Sequence, residues 1–283
     1  MADHLTTVIL ISVIFMMLGV GLKTPLREVL DVARRIGLVM RGVLANFVIV
    51  PVLVCLSLIW LPLDPDVKLG ILLMAAAPIA PMVPPFVDMA KGDVAYSVGL
   101  MIIVALLSVV LTPLILGLAI PESVGDVALN PLEIVKTLLI AQLIPIGLGM
   151  AIRSRSPRWS ERLLQFVPKV GQYGLILGVG LIMVSQAAQI LSISLLAHLV
   201  IPLWVVAFLF IGDWMLVGET APRRRALAVA TAIRNVPLAF LIAGQSFPGT
   251  VVAPVTLLMS AYVMIFSIAY GRLMERRGTA LPR

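Results

Sequence analysis

AAAPIAPMVPPFVDMA (residues 75–90) places Pro78, Pro81, Pro84 and Pro85 inside a stretch that is otherwise almost wholly apolar. A second stretch, AVATAIRNVPLAFLIAG (residues 228–244), is interrupted by Arg234, Asn235 and Pro237. A continuous helix pairs its own backbone, whereas a break at membrane depth leaves amides and carbonyls unpaired. Such a break is tolerated only where it is buried in protein or lines a wet cavity. Two interrupted spans at corresponding places in the halves of one chain point to the binding site of a secondary transporter.

The rest of the chain fits that setting. It has 283 residues, of which 61% are hydrophobic and 12% charged, with a mean hydropathy of +1.12. This is the composition of an all-α polytopic membrane protein, whose partner is the lipid bilayer. The net charge of +7 does not indicate nucleic acid, because the cations fall in alternate loops. One cysteine, Cys55, excludes an internal disulfide and a cysteine metal cluster, and His4 and His198 leave little for a zinc site. The N-terminal flank carries Asp3 and His4 rather than lysines, with no small-x-small cleavage site after the apolar run. A retained first span is expected there, not a signal peptide.

Nine membrane spans are expected, at residues 5–22, 42–61, 67–90 (broken), 94–120, 131–152, 167–188, 194–217, 226–244 (broken) and 250–273. One side then holds Lys23, Arg27, Arg34, Arg35, Arg41, Lys91, Arg153, Arg155, Arg158, Arg162, Lys169, Arg223 to Arg225 and the four arginines from Arg272 onward. These are 18 of the 21 lysines and arginines. The other side has Lys68 and Lys136 among Asp64, Asp66, Glu122 and Asp126. The positive-inside rule puts the N-terminus outside and the C-terminus in the cytoplasm, in the plasma membrane.

The spans also repeat. ANFVIVPVLV (residues 45–54) in the second span parallels AHLVIPLWVV (residues 197–206) in the seventh, and the broken spans are the third and eighth. The offset of five is odd, so the copies cross in opposite directions, an inverted repeat. Repeat 1 is residues 1–120, with four spans, and repeat 2 is residues 121–283, with five. His198 and Asn46 fall at matching positions and are expected to form interhelical hydrogen bonds.

Several stretches resemble one family. GVGLKTP (residues 19–25), PMVPPFVDMAKGDVAYSVGL (residues 81–100) and ATAIRNVPLA (residues 230–239) are similar to signature segments of the bile acid:sodium symporter family. The likeness runs almost end to end and lacks only that family's variable first helix. It implies a core domain whose two broken helices cross near the midplane, with a panel of helices that rocks against it. It further implies an organic anion as cargo, usually driven by sodium. The family's sodium-site residues map onto Val83, Pro84, Ser97, Met101, Ala230, Arg234 and Asn235, of which only Ser97 and Asn235 retain the family's residue type. Most ligands are therefore replaced, and the expectation is transport that does not follow sodium.

Arg234 carries that argument further. A guanidinium at the centre of a membrane helix costs about 2.5–3.5 kcal/mol and faces the bundle interior. Its compensation comes from a carboxylate, from carbonyls freed by the breaks, or from a ligand. As a fixed cation it would stand in for sodium and pair with a carboxylate or sulfonate, which its planar fork suits. Pro84 and Pro85 are expected to start one half-helix, and Pro237 another with Asn235 as N-cap. The expected substrate-binding set is thus Arg234, Asn235, Pro84, Pro85, Ser97 and Pro237, with no catalytic residue, no enzymatic activity and no organic cofactor. Asp88 is the candidate for proton coupling. Two alternatives stand beside this reading. One is a sodium-coupled symporter with ion sites rebuilt from backbone carbonyls. The other is a channel or sensor derived from the transporter fold, which would need a polar lining or a soluble output domain.

Overall fold

The structure, a computed structural model, describes residues 2–119 and 130–279, and these are helical apart from turns and the two breaks. The boundary expected at residue 120, Glu122, Asp126 and the last arginine lie outside the described residues. The helices are α1 (Ala2–Lys23), α2 (Leu26–Ala33), α3 (Ile36–Leu44), α4 (Val50–Trp60), α5 (Pro65–Ala76), α6 (Val83–Met89), α7 (Val94–Ala119) and α8 (Pro131–Leu138). They continue with α9 (Ile144–Arg155), α10 (Pro157–Leu164), α11 (Val167–Ser185), α12 (Ala187–Ser192), α13 (Leu195–Met215), α14 (Ala221–Ala232), α15 (Val236–Ser246) and α16 (Val252–Thr279).

Among the described residues, seven segments are long and apolar enough to cross a membrane: His4–Lys23, Ile36–Trp60, Val94–Ala119, Pro131–Arg155, Pro157–Ser185, Leu195–Met215 and Val252–Arg276. The second starts six residues before the position expected from the sequence, because helix α3 runs on past Arg41, whose side chain is exposed. A long cationic side chain can extend along the helix to water, so it does not end an apolar helix. The two broken segments are instead pairs of short helices. The longest of these four halves has 12 residues, a rise of about 18 Å against a hydrocarbon thickness of about 30 Å.

Two spans contain a π-helical turn, Ala45–Ile49 between α3 and α4 and Leu139–Leu143 between α8 and α9. Each ends two residues before a proline, Pro51 or Pro145. Proline lacks the N–H for the i−4 bond and its ring clashes with that carbonyl, so the preceding turn widens. Both bulges carry a fully buried amide side chain, Asn46 or Gln142.

Helix α1 lies along α9 and α11, while α14 lies along α13 and α16 along α5. The α1–α9 contact depends on glycine. A Cβ on Gly21 would sit 2.2 Å from the Ile146 carbonyl, and one on Gly149 would sit 2.4 Å from the Leu18 carbonyl. Small residues that let backbones touch are how membrane helices gain dispersion energy without a hydrophobic driving force between them.

The AKGDVAYSV stretch acquires a mechanical meaning. Lys91 adopts φ 55°, and the Gly92 amide bonds back to Val87 O at 2.8 Å, ending α6. A Cβ on Gly92 would lie 3.1 Å from Ala226 N and 3.2 Å from Pro222 O. Asp93 caps α7 through the Tyr96 amide at 2.9 Å, and its own amide donates to Pro222 O at 2.9 Å. The turn after the first break is thereby fixed to the start of the second broken segment. Lys91 also faces Glu275 at 3.7 Å, and Arg224 pairs with Asp213. Loops rich in cations thus meet on one side of the protein.

Candidate functional site

At the two breaks the chain is extended, and the breaks pair with each other. Ile79 and Arg234 form an antiparallel bridge, in which the Ala80 amide donates to Ile233 O at 3.1 Å and the Asn235 amide to Pro78 O at 2.8 Å. The carbonyls released by the end of α5 are also taken. Ala76 O accepts from Thr112 Oγ1 at 2.9 Å, and Ala77 O from Arg234 Nη1 at 3.2 Å. Several of the backbone groups that the breaks free at membrane depth are thereby satisfied within the protein.

Arg234 is fully enclosed, with 0% of its surface exposed. Besides Ala77 O, its Nη1 donates to Asn46 O at 3.2 Å, in the π turn of the second span. Its guanidinium carbon stands 5.7 Å from the centre of the Phe208 ring, a cation–π contact. Its Nε and Nη2 have no hydrogen-bond partner, and neither do the buried Asn46 Oδ1 and Thr231 Oγ1. Among the described residues no carboxylate pairs with it; Asp213 is engaged by Arg224. Of the three compensations open to a buried arginine, the structure supplies carbonyls.

Asn235 is the N-cap expected from the sequence. Its Oδ1 accepts from the Leu238 amide at 3.3 Å, and α15 starts with Val236 and Pro237. Its Nδ2 donates to Gln142 Oε1 at 3.2 Å, and Gln142 Nε2 donates to Ala105 O and Ser108 Oγ, both at 3.2 Å. One buried chain of amides thus joins the second break to the π turn of the fifth span and to α7. Asn235→Ala is expected to destabilise the protein by about 1–3 kcal/mol, since the cap is lost and Gln142 Oε1 is left unpartnered. Thermal unfolding in detergent reads this directly, and an unchanged midpoint would contradict the role assigned to the network.

The remaining expected residues are dispersed. Pro84 and Pro85 lie in the first turn of α6, as anticipated, and with Pro81 they line a cavity of about 220 Å³. That cavity opens between α1, α10 and α11 on one side and α6 and α7 on the other, and neither Arg234, Asn235, Ser97 nor Pro237 lines it. Its one charged side chain is Lys23, with Thr24 and Gln172 as polar neighbours and Met16, Met82 and Met101 as adaptable walls. Ser97 is buried, with its hydroxyl bonded to Val94 O of its own helix at 2.8 Å. Asp88 is exposed at the end of α6. His198 makes its interhelical bond, to Tyr262 Oη at 3.0 Å. Asn46 differs from expectation: its side chain bonds Gly42 O within its own helix at 2.8 Å, and its backbone carbonyl makes the cross-helix contact. The bulge explains this, because a π turn frees a main-chain carbonyl. Gln142 and Lys23 were not singled out from the sequence. A glutamine before a proline inside an apolar span was the available signal for Gln142.

A family model described as the sodium bile acid symporter family matches residues 10–193. The chain belongs to that family. This symporter-family protein is 24% identical over 236 residues to the Bacillus subtilis (strain 168) protein named "Uncharacterized sodium-dependent transporter YocS", covering 82% of this chain and 72% of that one. It is also 24% identical over 251 residues to the "Probable sodium/metabolite cotransporter BASS2, chloroplastic" of Oryza sativa subsp. japonica, covering 84% of this chain and 57% of that one. A second protein of that plant, the "Probable sodium/metabolite cotransporter BASS3, chloroplastic", is 27% identical over 163 residues, covering 56% and 38%. The match therefore spans little more than half of the first rice protein. The protein is a multi-pass member of a transporter family and not an enzyme.

Proposed function

We propose that this protein is a secondary carrier of a small or amphipathic organic anion, a carboxylate or sulfonate, that works by alternating access and does not follow sodium. One observation carries the reading. Arg234 spends Nη1 on the crossover carbonyls, and its Nε–Nη2 edge is left without a partner. That edge is the planar pair of donors that a carboxylate or sulfonate accepts side-on. It is enclosed in this conformation, so an anion reaches it only when surrounding helices move, as alternating access provides.

Few oxygens at the positions that map onto the family's sodium sites are left for a sodium ion, with Asn46 Oδ1 and Thr231 Oγ1 the unpartnered ones nearby. Ala77 O and Asn46 O already serve Arg234, the Ser97 hydroxyl serves its own helix, and Val83 and Met101 offer no oxygen in their side chains. The fixed charge takes the place of the ion. A carrier whose empty site keeps that charge resists returning unloaded, which favours exchange of one anion for another or coupling to a proton, with Asp88 as the acid for the latter. Asn235, Pro84, Pro85, Ser97 and Pro237 would frame the anion's path.

The nine-span inverted repeat, residues 1–120 and 121–283, belongs to the same proposal. The antiparallel pairing of the two breaks supports it. Helices α1, α9 and α11 would be the panel and the groups around α5, α13, α14 and α16 the core, with the 220 Å³ cavity at their junction. The plasma membrane, with the N-terminus outside, is the setting that the loop charges support.

The names of the relatives, a sodium-dependent transporter and a sodium/metabolite cotransporter, favour a second reading, sodium-coupled symport, here with ion sites rebuilt from backbone carbonyls. Thermal unfolding against a panel of organic anions, in sodium and in choline, separates the two. A bound anion stabilises the folded state by about 2.7 kcal/mol at a hundredfold excess over Kd. Equal stabilisation in both buffers is expected. Stabilisation in sodium alone would overturn the fixed-cation reading in favour of the symporter.

A further inference from the structure

The turn from α9 into α10 gathers charge that the crossover does not use. Arg155, Ser156, Pro157, Arg158, Trp159 and Arg162 line one concavity of about 590 Å³. The arginines are exposed, and no salt bridge engages Arg155, Arg158 or Arg162 among the described residues. The neighbouring acid, Glu161, faces Arg153 at 3.7 Å instead. Arg158 and Arg162 are four residues apart and therefore share one face of α10.

The place of this helix indicates what meets those guanidiniums. Helix α10 opens the segment Pro157–Ser185, directly after the end of Pro131–Arg155 on the cation-rich side, and Ser160 fixes it there by donating to Leu22 O at 2.7 Å. Trp159 is 60% exposed and Phe166 66%, with Arg162 stacked 5.5 Å from the centre of the Trp159 ring. Exposed Trp beside clustered arginine is the chemistry of the headgroup layer, where indole sits at the interface and cations attract lipid phosphate. A soluble anion would need the arginines but not the aromatic rings.

We propose that this concavity is a binding site for the phosphate of an anionic phospholipid in the adjoining leaflet, held by Arg155, Arg158 and Arg162 with Trp159 against the acyl–headgroup boundary. Leu164 of the same helix lines the 220 Å³ cavity, so the bound lipid braces one wall of the transport path.

The test uses the full chain in detergent, by native mass spectrometry and thermal unfolding, with phosphatidylglycerol, phosphatidylcholine or inorganic phosphate added. Phosphatidylglycerol is expected to be retained and to raise the midpoint more than phosphatidylcholine. The double variant Arg158→Gln/Arg162→Gln is expected to weaken that retention roughly thirtyfold, about fivefold per guanidinium. Both side chains are exposed, so the variant folds, and its unchanged midpoint in the absence of lipid checks this. Equal retention of the two lipids, or undiminished retention by the variant, would overturn the proposal. The same stabilisation by inorganic phosphate would also overturn it, in favour of a site for a soluble anion.

Discussion

Arg234→Gln is expected to cut transport about a hundredfold or more, in sodium and in choline alike. Each charge-assisted hydrogen bond is worth about 1.5–3 kcal/mol, and two such bonds to a substrate oxyanion correspond to a hundredfold or greater loss. Stability should move much less. Removing an enclosed charge relieves a desolvation cost of several kcal/mol, while Ala77 O and Asn46 O lose their donor at about 1–3 kcal/mol each. These effects oppose each other. Uptake into proteoliposomes, with the unfolding midpoint measured on the same preparation, therefore separates a ligand-pairing arginine from a structural one. A structural arginine would lower the midpoint and leave the anion response of the remaining folded protein intact. Arg234→Lys keeps the charge but loses the fork and is expected to fall between the two. Transport that is strictly sodium-dependent and indifferent to Arg234→Gln would end the fixed-cation proposal.

The second large effect is on assembly. Gly149→Val is expected to destabilise the protein by about 3 kcal/mol or more, at the upper end of what overpacking costs. The added Cβ would meet Leu18 O at 2.4 Å and Leu22 N at 2.6 Å. Both are backbone atoms, so no rotamer change relieves the clash and α1 must separate from α9. Gly147, two residues earlier in α9, has no atom within 4 Å of its ideal Cβ. Gly147→Val is therefore the control and should leave the unfolding midpoint nearly unchanged. If the two variants melted together, the close α1–α9 contact would not be a source of stability.

Local chemistry made much of the fold legible. The prolines at residues 84, 85 and 237 mark half-helix starts because their missing N–H is needed nowhere in a first turn. Asn235 reads as an N-cap because a short acceptor before Val236 and Pro237 satisfies the amide of Leu238. The long apolar runs give the unbroken spans directly, since about 20 apolar residues are what the bilayer demands. The start of the second span was less legible, because an arginine near the interface leaves the helix intact while changing the hydropathy.

The site was legible only in part. Sequence placed Arg234 and Asn235 at a break and proposed an anion for the guanidinium, because charge at membrane depth needs compensation. Which oxygens supply that compensation depends on partners 157 and 188 residues away in the chain, and no local pattern encodes such a meeting. The same holds for the link from Asn235 to Gln142 across 93 residues and for Lys23 as the cation of the cavity beside Pro84 and Pro85. By itself the sequence determined the family, the membrane-spanning helices and the breaks, because backbone conformation follows from proline, caps and apolar length. Tertiary structure alone decided that Arg234 is tied to two carbonyls with one edge left over. Such distances are set by how closely helices pack, and that packing is fixed by contacts between residues remote in the chain.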